Sequence, residues 1–388
     1  MLVSIQNNQF KQWKSRFIYY VQLWFMLMAA MHCWEFYLND LAISKSMNNE
    51  KVALVIACYN ERSILEDKIA NSLALNYPKE KLEIVFVTDG STDGSADVLM
   101  QYDRLTVFHE SKREGKRAAI ERVMPLVDAS IIVLTDANSM LNSEALNEIM
   151  KHYRDSKVGA VAGEKKVIAM GAGVGEGIYW RYESLLKKAD SHLFSVVGAA
   201  GELFSFRKEL FVHLPAQTII EDFALSLSIV ERGYKVVYEP NAWAAEKPSS
   251  SMAEEWNRKV RICAGGFREI VNYARLFNAF KHPWLSYLLI SHRVLRWAVV
   301  PFILPLLLLA TYVLATTGDR MYQLFFMLQI ATYALALVGV GLRHRSKLPF
   351  FIGIPFQFVM MNAAAYVGLV HYYRGVDHGI WKKIKRAV

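Results

Sequence analysis

"KVALVIACYNERSILEDKIANSLAL", Lys51 to Leu75, changes its period halfway along. Lys51–Tyr59 is a short unbroken run rich in branched apolar side chains, as in a buried strand. From Glu61 onward the apolar residues space out as on an amphipathic helix. The same unit recurs three times. "LEIVFVTDG" (82–90) is a strand followed by a helix from about Ser95. "LTVFHE" (105–110) precedes the helical "KRAAIERVMPLV", and "ASIIVLTDA" (129–137) precedes a helix from Ser143. Repeated strand–helix units predict a mostly parallel, Rossmann-like α/β sheet with helices on both faces. Three strands end in polar clusters: Tyr59-Asn60-Glu61, Asp89-Gly90-Ser91-Thr92-Asp93 and Asp136-Ala137-Asn138. Turn chemistry explains each cluster singly. It does not explain why all three fall on the rim where open parallel sheets bind ligands.

Composition divides the 388 residues into three zones. Residues 1–48 carry the apolar run "FIYYVQLWFMLMAAMHCWEFYL", interrupted by Gln22, His32 and Glu35 and preceded by basic residues. That segment either spans a membrane or lies at its interface. It is a poor signal peptide, being long and lacking a small-residue cleavage site. Residues 49–282 hold the strand–helix units. Residues 283–388 begin with an interfacial stretch, Trp284–Trp297, containing His292, Arg293 and Arg296. Apolar runs follow at about 297–316, 322–342 and 348–370. The first two read as spans. The third contains Pro355, Gln357 and Asn362 and reads as re-entrant or incompletely spanning, which would also keep the basic tail "WKKIKRAV" cytoplasmic. The net charge of +9 gathers beside these runs, which suits anionic headgroups and argues against a nucleic-acid binder. Three scattered cysteines lack metal-ligand spacing and point to a reducing compartment.

On the rim, Asp89 is suited to accept a hydrogen bond from a base or ribose; its alternative is a simple turn residue in "DGSTDGS". "KREGKRAAI" sets Lys112, Arg113, Gly115, Lys116 and Arg117 at a helix start, where amides and cations favour phosphate; the alternative is a solvated basic turn. Asp136 and Asn138 are oxygen donors suited to a divalent cation on a diphosphate. Glu221 and Asp222 open a helix, either favouring its N-terminus or supplying a general base. Arg258, Lys259 and Arg261 crowd "WNRKVRICAGG", with a juxtamembrane basic helix as the alternative.

The set resembles a family 2 inverting glycosyltransferase of the GT-A type, in the cellulose-synthase-like membrane branch. The resemblance runs from about Val52 to the C-terminus. It rests on the order of "CYNE", "VTDGSTDGS", "EGKRAA", "TDAN", "VGAVAGE", "YWRYE", "GAAGELFSFRKEL", "EDFALSLSIVERGYKVVYEP", "RKVRICAGGF" and "SHRVLRW". It implies a cytosolic GT-A domain, an α-helical membrane region, a nucleotide-sugar donor (a UDP-sugar by preference) and Mg²⁺ or Mn²⁺. By position, Tyr59, Glu61, Asp89 and Lys116 would cradle the nucleotide. Asp136 and Asn138 match the DxD motif, Asp222 the general base with Glu221 beside it, and Arg261 the arginine of QxxRW. Gly198, Gly201 and Arg207 fall on the acceptor side. Thr88 replaces the usual first acid beside Asp89. Arg258 and Ile262 replace the Gln and Trp of QxxRW, leaving Trp256 or Trp243 as a substitute platform for an acceptor sugar. The implied acceptor is a saccharide or lipid-linked hydroxyl at the cytoplasmic face of the membrane, with partner subunits of an export or assembly complex allowed. Single-sugar transfer to a polyprenyl phosphate and a non-catalytic scaffold stay open as alternatives.

Overall fold

The computed structural model describes residues 50–167, 174–199, 201–249, 251–342 and 348–375. The N-terminal apolar segment, the basic stretch 343–347 and the basic tail lie outside the described residues. In chain order the elements are β1 (Val52–Cys58), α1 (Arg62–Leu73), β2 (Leu82–Asp89), α2 (Ser95–Leu99), β3 (Leu105–Glu110), α3 (Lys116–Val123), β4 (Ile131–Asp136) and β5 (Ser139–Leu141). They continue with α4 (Ala145–His152), β6 (Val158–Val167), α5 (Val174–Leu193), β7 (Phe204–Arg207), α6 (Glu221–Glu231), β8 (Lys235–Glu246) and α7 (Met252–Asn272).

All eight strands join one sheet in the order β3-β2-β1-β4-β7-β6-β8-β5. The four strands read from the repeated units are parallel neighbours. Beyond β4 the sheet is mixed: β7 runs antiparallel to both β4 and β6, β6 and β8 are parallel, and β5 is antiparallel to β8. β1 shows why its run is apolar throughout. Val52, Leu54 and Ile56 face a core shared with α1, α2 and α4, while Ala53 and Val55 face a second core with α3, α6 and α7. Each fully buried aliphatic side chain there is worth roughly 1.5–3 kcal/mol. The chain leaves β1 toward β2 and β3, then returns to β4 on the other side. That reversal opens a crevice at the carboxyl ends of β1 and β4, where Ala57 lies opposite Asp136.

After α7 come α8 (Pro283–Leu289), a π-wound segment (Ile290–Val299), α9 (Val300–Ala315), α10 (Arg320–Gly341) and α11 (Phe350–Arg374). Three stretches, Pro283–Ala315, Arg320–Gly341 and Phe350–Arg374, are long and apolar enough to cross a membrane. Two expectations change here. The third run is not re-entrant, because α11 is one continuous 25-residue helix through Pro355. It reads as less apolar because one face meets protein: Ala364 and Ala365 are buried, and a Cβ on Gly368 would fall 2.6 Å from Cys263 Cβ and 3.0 Å from the Ala264 amide. The second change concerns the interfacial stretch, whose polar groups are tied to partners in the protein. Arg293 donates to the carbonyls of Val197 (2.7 Å) and Gly198 (3.3 Å), Arg296 pairs with Glu183, and His292 meets Asp190 at 3.1 Å.

Candidate active site

The strand-end loops after β1 and β2 are tied to each other. Asn60, with φ +53°, accepts from the Thr92 amide at 2.7 Å, and its own amide donates to Ser91 Oγ at 3.1 Å. Tyr59 lies beside this junction with the Arg113 guanidinium 3.6 Å above its ring, a cation–π contact. Glu61 closes the same loop at the start of α1.

Asp89 departs from the expectation. It is buried, and its carboxylate accepts from the amides of Glu114 (3.1 Å) and Gly115 (2.6 Å) and from Arg122 (3.0 Å). Its lone pairs are thus committed to the loop leading into α3. The anion held at that helix start is this internal carboxylate, not an external phosphate. Of the basic cluster, Lys112 pairs with Glu114 and Arg117 with Glu121, while Lys116 reaches the acids of the crevice. Thr88, in the place of the usual acid, is hydrogen-bonded to His109 Nδ1 at 2.7 Å.

Lys116 is the hinge of the site. Its ammonium lies 2.6 Å from Asp136 Oδ1, at the end of β4, and 3.3 Å from Glu221, at the start of α6. Asp136 and Glu221 hold its pKa above the ordinary lysine value against the opposing effect of burial. Gly201 passes so close that a Cβ there would sit 3.3 Å from Asp222 Oδ2 and 3.4 Å from Lys116 Nζ. Asp222 accepts from the Phe223 amide at 2.9 Å. Burial and the neighbouring Glu221 carboxylate push its pKa up to about 7, with Lys116 pulling the other way. An acid poised there suits proton transfer at neutral pH.

Lys116, Asp136, Gly198, Gly201, Glu221, Asp222 and Arg261 line one cavity of about 190 Å³. Arg207 does not join them. It pairs with Ile131 at the opposite end of β4 and donates to the carbonyls of Tyr153, Asp155 and Val158, so its work is structural. Nor do the two tryptophans named as platforms. Trp243 lies under the Lys166 ammonium, 4.1 Å from its ring centroid, and Trp256 packs against the core. The cavity's tryptophans are instead Trp180 and Trp297, with Phe223 as its third aromatic. Trp297 lies edge-on to Phe223 at 5.9 Å, and Gly266 on α7 leaves the room its indole needs.

A buried charge network behind the cavity was invisible to motif reading. Lys165 of β6 bridges Glu202 and Glu246, and Glu246 accepts from the Asn138 amide at 3.1 Å. That bond fixes the Asn138 side chain and leaves its Oδ1 buried without a hydrogen-bond partner. Lys68, fully buried beneath, donates to the Ser139 carbonyl and to Thr135 Oγ1 (3.4 Å), pinning the same turn. An orphaned amide oxygen beside a half-open carboxylate fits an oxygen-seeking divalent cation. Among the described residues no group of three or more His, Cys, Asp or Glu gathers, so such an ion would need oxygens from a ligand to complete its shell.

Residues 49–265 match the family model described as "Glycosyltransferase like family 2", which covers more than half the chain. The chain belongs to that family. Family 2 relatives include the poly-beta-1,6-N-acetyl-D-glucosamine synthases of Staphylococcus aureus (strain COL) and Staphylococcus epidermidis. The first is 27% identical over 227 residues (56% of this chain, 55% of the relative), the second 24% over 240 residues (59% and 58%). The chain therefore spans a little over half the length of these curated relatives. Among solved structures, a mannosyltransferase from Pyrobaculum calidifontis, in complex with GDP-Man and Mn²⁺, superposes with TM-score 0.66 at 21% identity. It covers 90% of this chain and 95% of its own. At that identity the likeness concerns the fold: a GT-A domain followed by helices, as the family 2 resemblance implied.

Proposed function

We propose that this family 2 protein is a membrane-bound inverting glycosyltransferase. It moves a sugar, a hexose or N-acetylhexosamine, from a nucleotide donor (a UDP-sugar by preference) to a hydroxyl of a saccharide or lipid-linked acceptor. The observation that carries the reading is the meeting of Asp136, Lys116, Glu221 and Asp222 at one cavity, at the reversal point of the sheet. The catalytic domain faces the cytoplasm, where such donors are made, and the three apolar helices hold it at the membrane.

In the reaction, the acceptor oxygen attacks the anomeric carbon from the face opposite the diphosphate. The carbon–oxygen bond to the diphosphate breaks, and its electron pair leaves with the phosphate oxygen. Asp222 takes the acceptor proton, with Glu221 keeping that carboxyl basic. Lys116 and Arg261 supply positive charge to the departing diphosphate. Asp136 and Asn138 would hold Mg²⁺ or Mn²⁺, whose chemistry there is to neutralise the leaving group. Asp89 acts on the nucleotide indirectly, by holding the Glu114–Gly115 loop.

The test is nucleoside diphosphate release by the full chain in lipid, across a panel of nucleotide sugars, with and without Mg²⁺ or Mn²⁺. Metal-dependent release from one donor, abolished in Asp136→Ala, is the expected result. No release from any donor, with lipids and candidate acceptors supplied, would favour a non-catalytic scaffold.

A further inference from the structure

A second cavity, of about 490 Å³, lies between α7, the π-wound segment and α11. That volume is in the usual range of small-molecule sites. The two cavities share Trp180, Arg258, Ile262, Arg293 and Trp297 in their linings, so the second cavity adjoins the one holding Asp222.

Its wall is divided. One part is cationic, from Arg258, Lys259, Arg293 and Arg296, and among the described residues no carboxylate lines it. The other part is hydrocarbon, from Leu295, Val300, Phe358 and Met361. Leu295, Val300 and Phe358 are 39%, 39% and 42% exposed, so this part opens on the outer surface of helices fit to sit in lipid. The cations are set in place: Arg258 and Lys259 both lean on Glu255, and Arg296 on Glu183. A basic helix that only meets headgroups extends such side chains outward, whereas Arg258 and Lys259 are buried. Asn362 also lines the wall from within α11, its amide donating to the Phe358 carbonyl at 2.8 Å.

We propose that this cavity binds a membrane lipid with an anionic, phosphate-bearing headgroup, and that this lipid carries the hydroxyl presented to Asp222. The second clause rests on the glycosyltransferase reading above. The headgroup lies against Arg258, Lys259 and Arg296, and the chain leaves between Leu295 and Phe358. A soluble sugar would leave the hydrocarbon wall bare, and a neutral lipid would bring no charge to the cationic one.

The full chain, delipidated in detergent, is offered equimolar phosphatidylglycerol and phosphatidylcholine with identical acyl chains, and retained lipid is read by native mass spectrometry. Retention of phosphatidylglycerol about tenfold over phosphatidylcholine is expected, falling about fivefold in Lys259→Gln, the usual worth of one cation near a charged lipid. Met361→Trp, which fills the hydrocarbon wall, is expected to lose both lipids. Where that variant fails to fold, the wild type and Lys259→Gln decide. Equal retention of the two lipids, or an unchanged preference in Lys259→Gln, overturns the site. In nanodiscs of each lipid, donor turnover is expected to be faster with phosphatidylglycerol, and turnover indifferent to the lipid overturns the acceptor role. Retention is read without any donor, so absence of turnover counts against the glycosyltransferase reading and leaves the binding result standing.

Discussion

In the proposed reaction Asp222 concentrates the chemistry of the site in one titration. With its pKa near 7, the fraction able to accept a proton grows as pH rises through neutrality. The pH profile of kcat/KM for nucleoside diphosphate release is therefore expected to climb between about pH 6 and 8 on this limb. Asp222→Asn is expected to lower turnover by roughly 10²–10⁴ while the protein still folds; a near-normal rate would remove Asp222 from the role. The same shift has a stability side. The folded state holds this proton more tightly than the unfolded chain, whose ordinary value is 3.8. Stability conferred at low pH is thus lost as pH rises from about 4 to about 7. Asp222→Asn removes that loss, so its melting temperature at pH 8 is expected to exceed the wild type's, the usual exchange between a strained site and stability. Gly201→Ala tests the neighbouring approach: its Cβ would crowd Asp222 and Lys116, and lower kcat with an unchanged melting temperature is the expected outcome.

Among the elements, the π-wound segment between α8 and α9 is the joint between the α/β domain and the apolar helices. Its wider turn aligns Arg293 and Arg296 toward α5 and the 197–198 loop, and places Trp297 against Phe223. Departures from α winding are frequent at functional sites. Arg296 holds the buried Glu183 well below the ordinary carboxylate range, at about 2. The depressed value means the pair stabilises the fold above about pH 4.5 and loses that contribution as pH falls toward 2. Arg296→Met, measured at pH 7, is expected to cost about 1–3 kcal/mol of stability, because the buried Glu183 carboxylate loses its hydrogen-bonded cation and keeps only the more distant charges of Arg293 and Lys187. A double variant with Glu183→Gln should recover part of that loss.

For the whole molecule, the contact of α11 with α7 makes the apolar helices a wall of the α/β domain rather than a tether. Gly368, Ala364 and Ala365 let the two helices approach closely. Gly368→Leu would drive a side chain into Cys263 and Ala264. A lower melting temperature for the full chain, equivalent to about 1–3 kcal/mol, is expected from that overpacking. Lipid retention in the second cavity should fall with it, since Phe358, Met361 and Asn362 ride on the same helix. The protein is also expected to stay with membranes through alkaline carbonate washing and to leave them only in detergent.

The four strand–helix units, the polar rim and the apolar runs were legible in sequence because each is a local pattern: period, turn residues and span length are properties of neighbouring residues. Asp136, Asn138, Glu221, Asp222 and Lys116 were singled out the same way, as candidates in short motifs in order. What needed the fold was everything set by contact between distant segments. The commitment of Asp89 to the Glu114–Gly115 amides depends on where α3 begins relative to β2. The removal of Arg207 from the rim follows from the antiparallel register of β7, which no local period encodes. Trp180 and Trp297, rather than Trp243 and Trp256, line the cavity because α5 and the π-wound segment fold over the crevice, and Lys165 of β6 reaches Glu202 and Glu246 only through the pairing of β6 with β7 and β8. Local periodicity specifies elements and their polar ends; which side chains then share a desolvated space is decided by tertiary contact, because burial and charge pairing act between residues that the chain brings together from far apart.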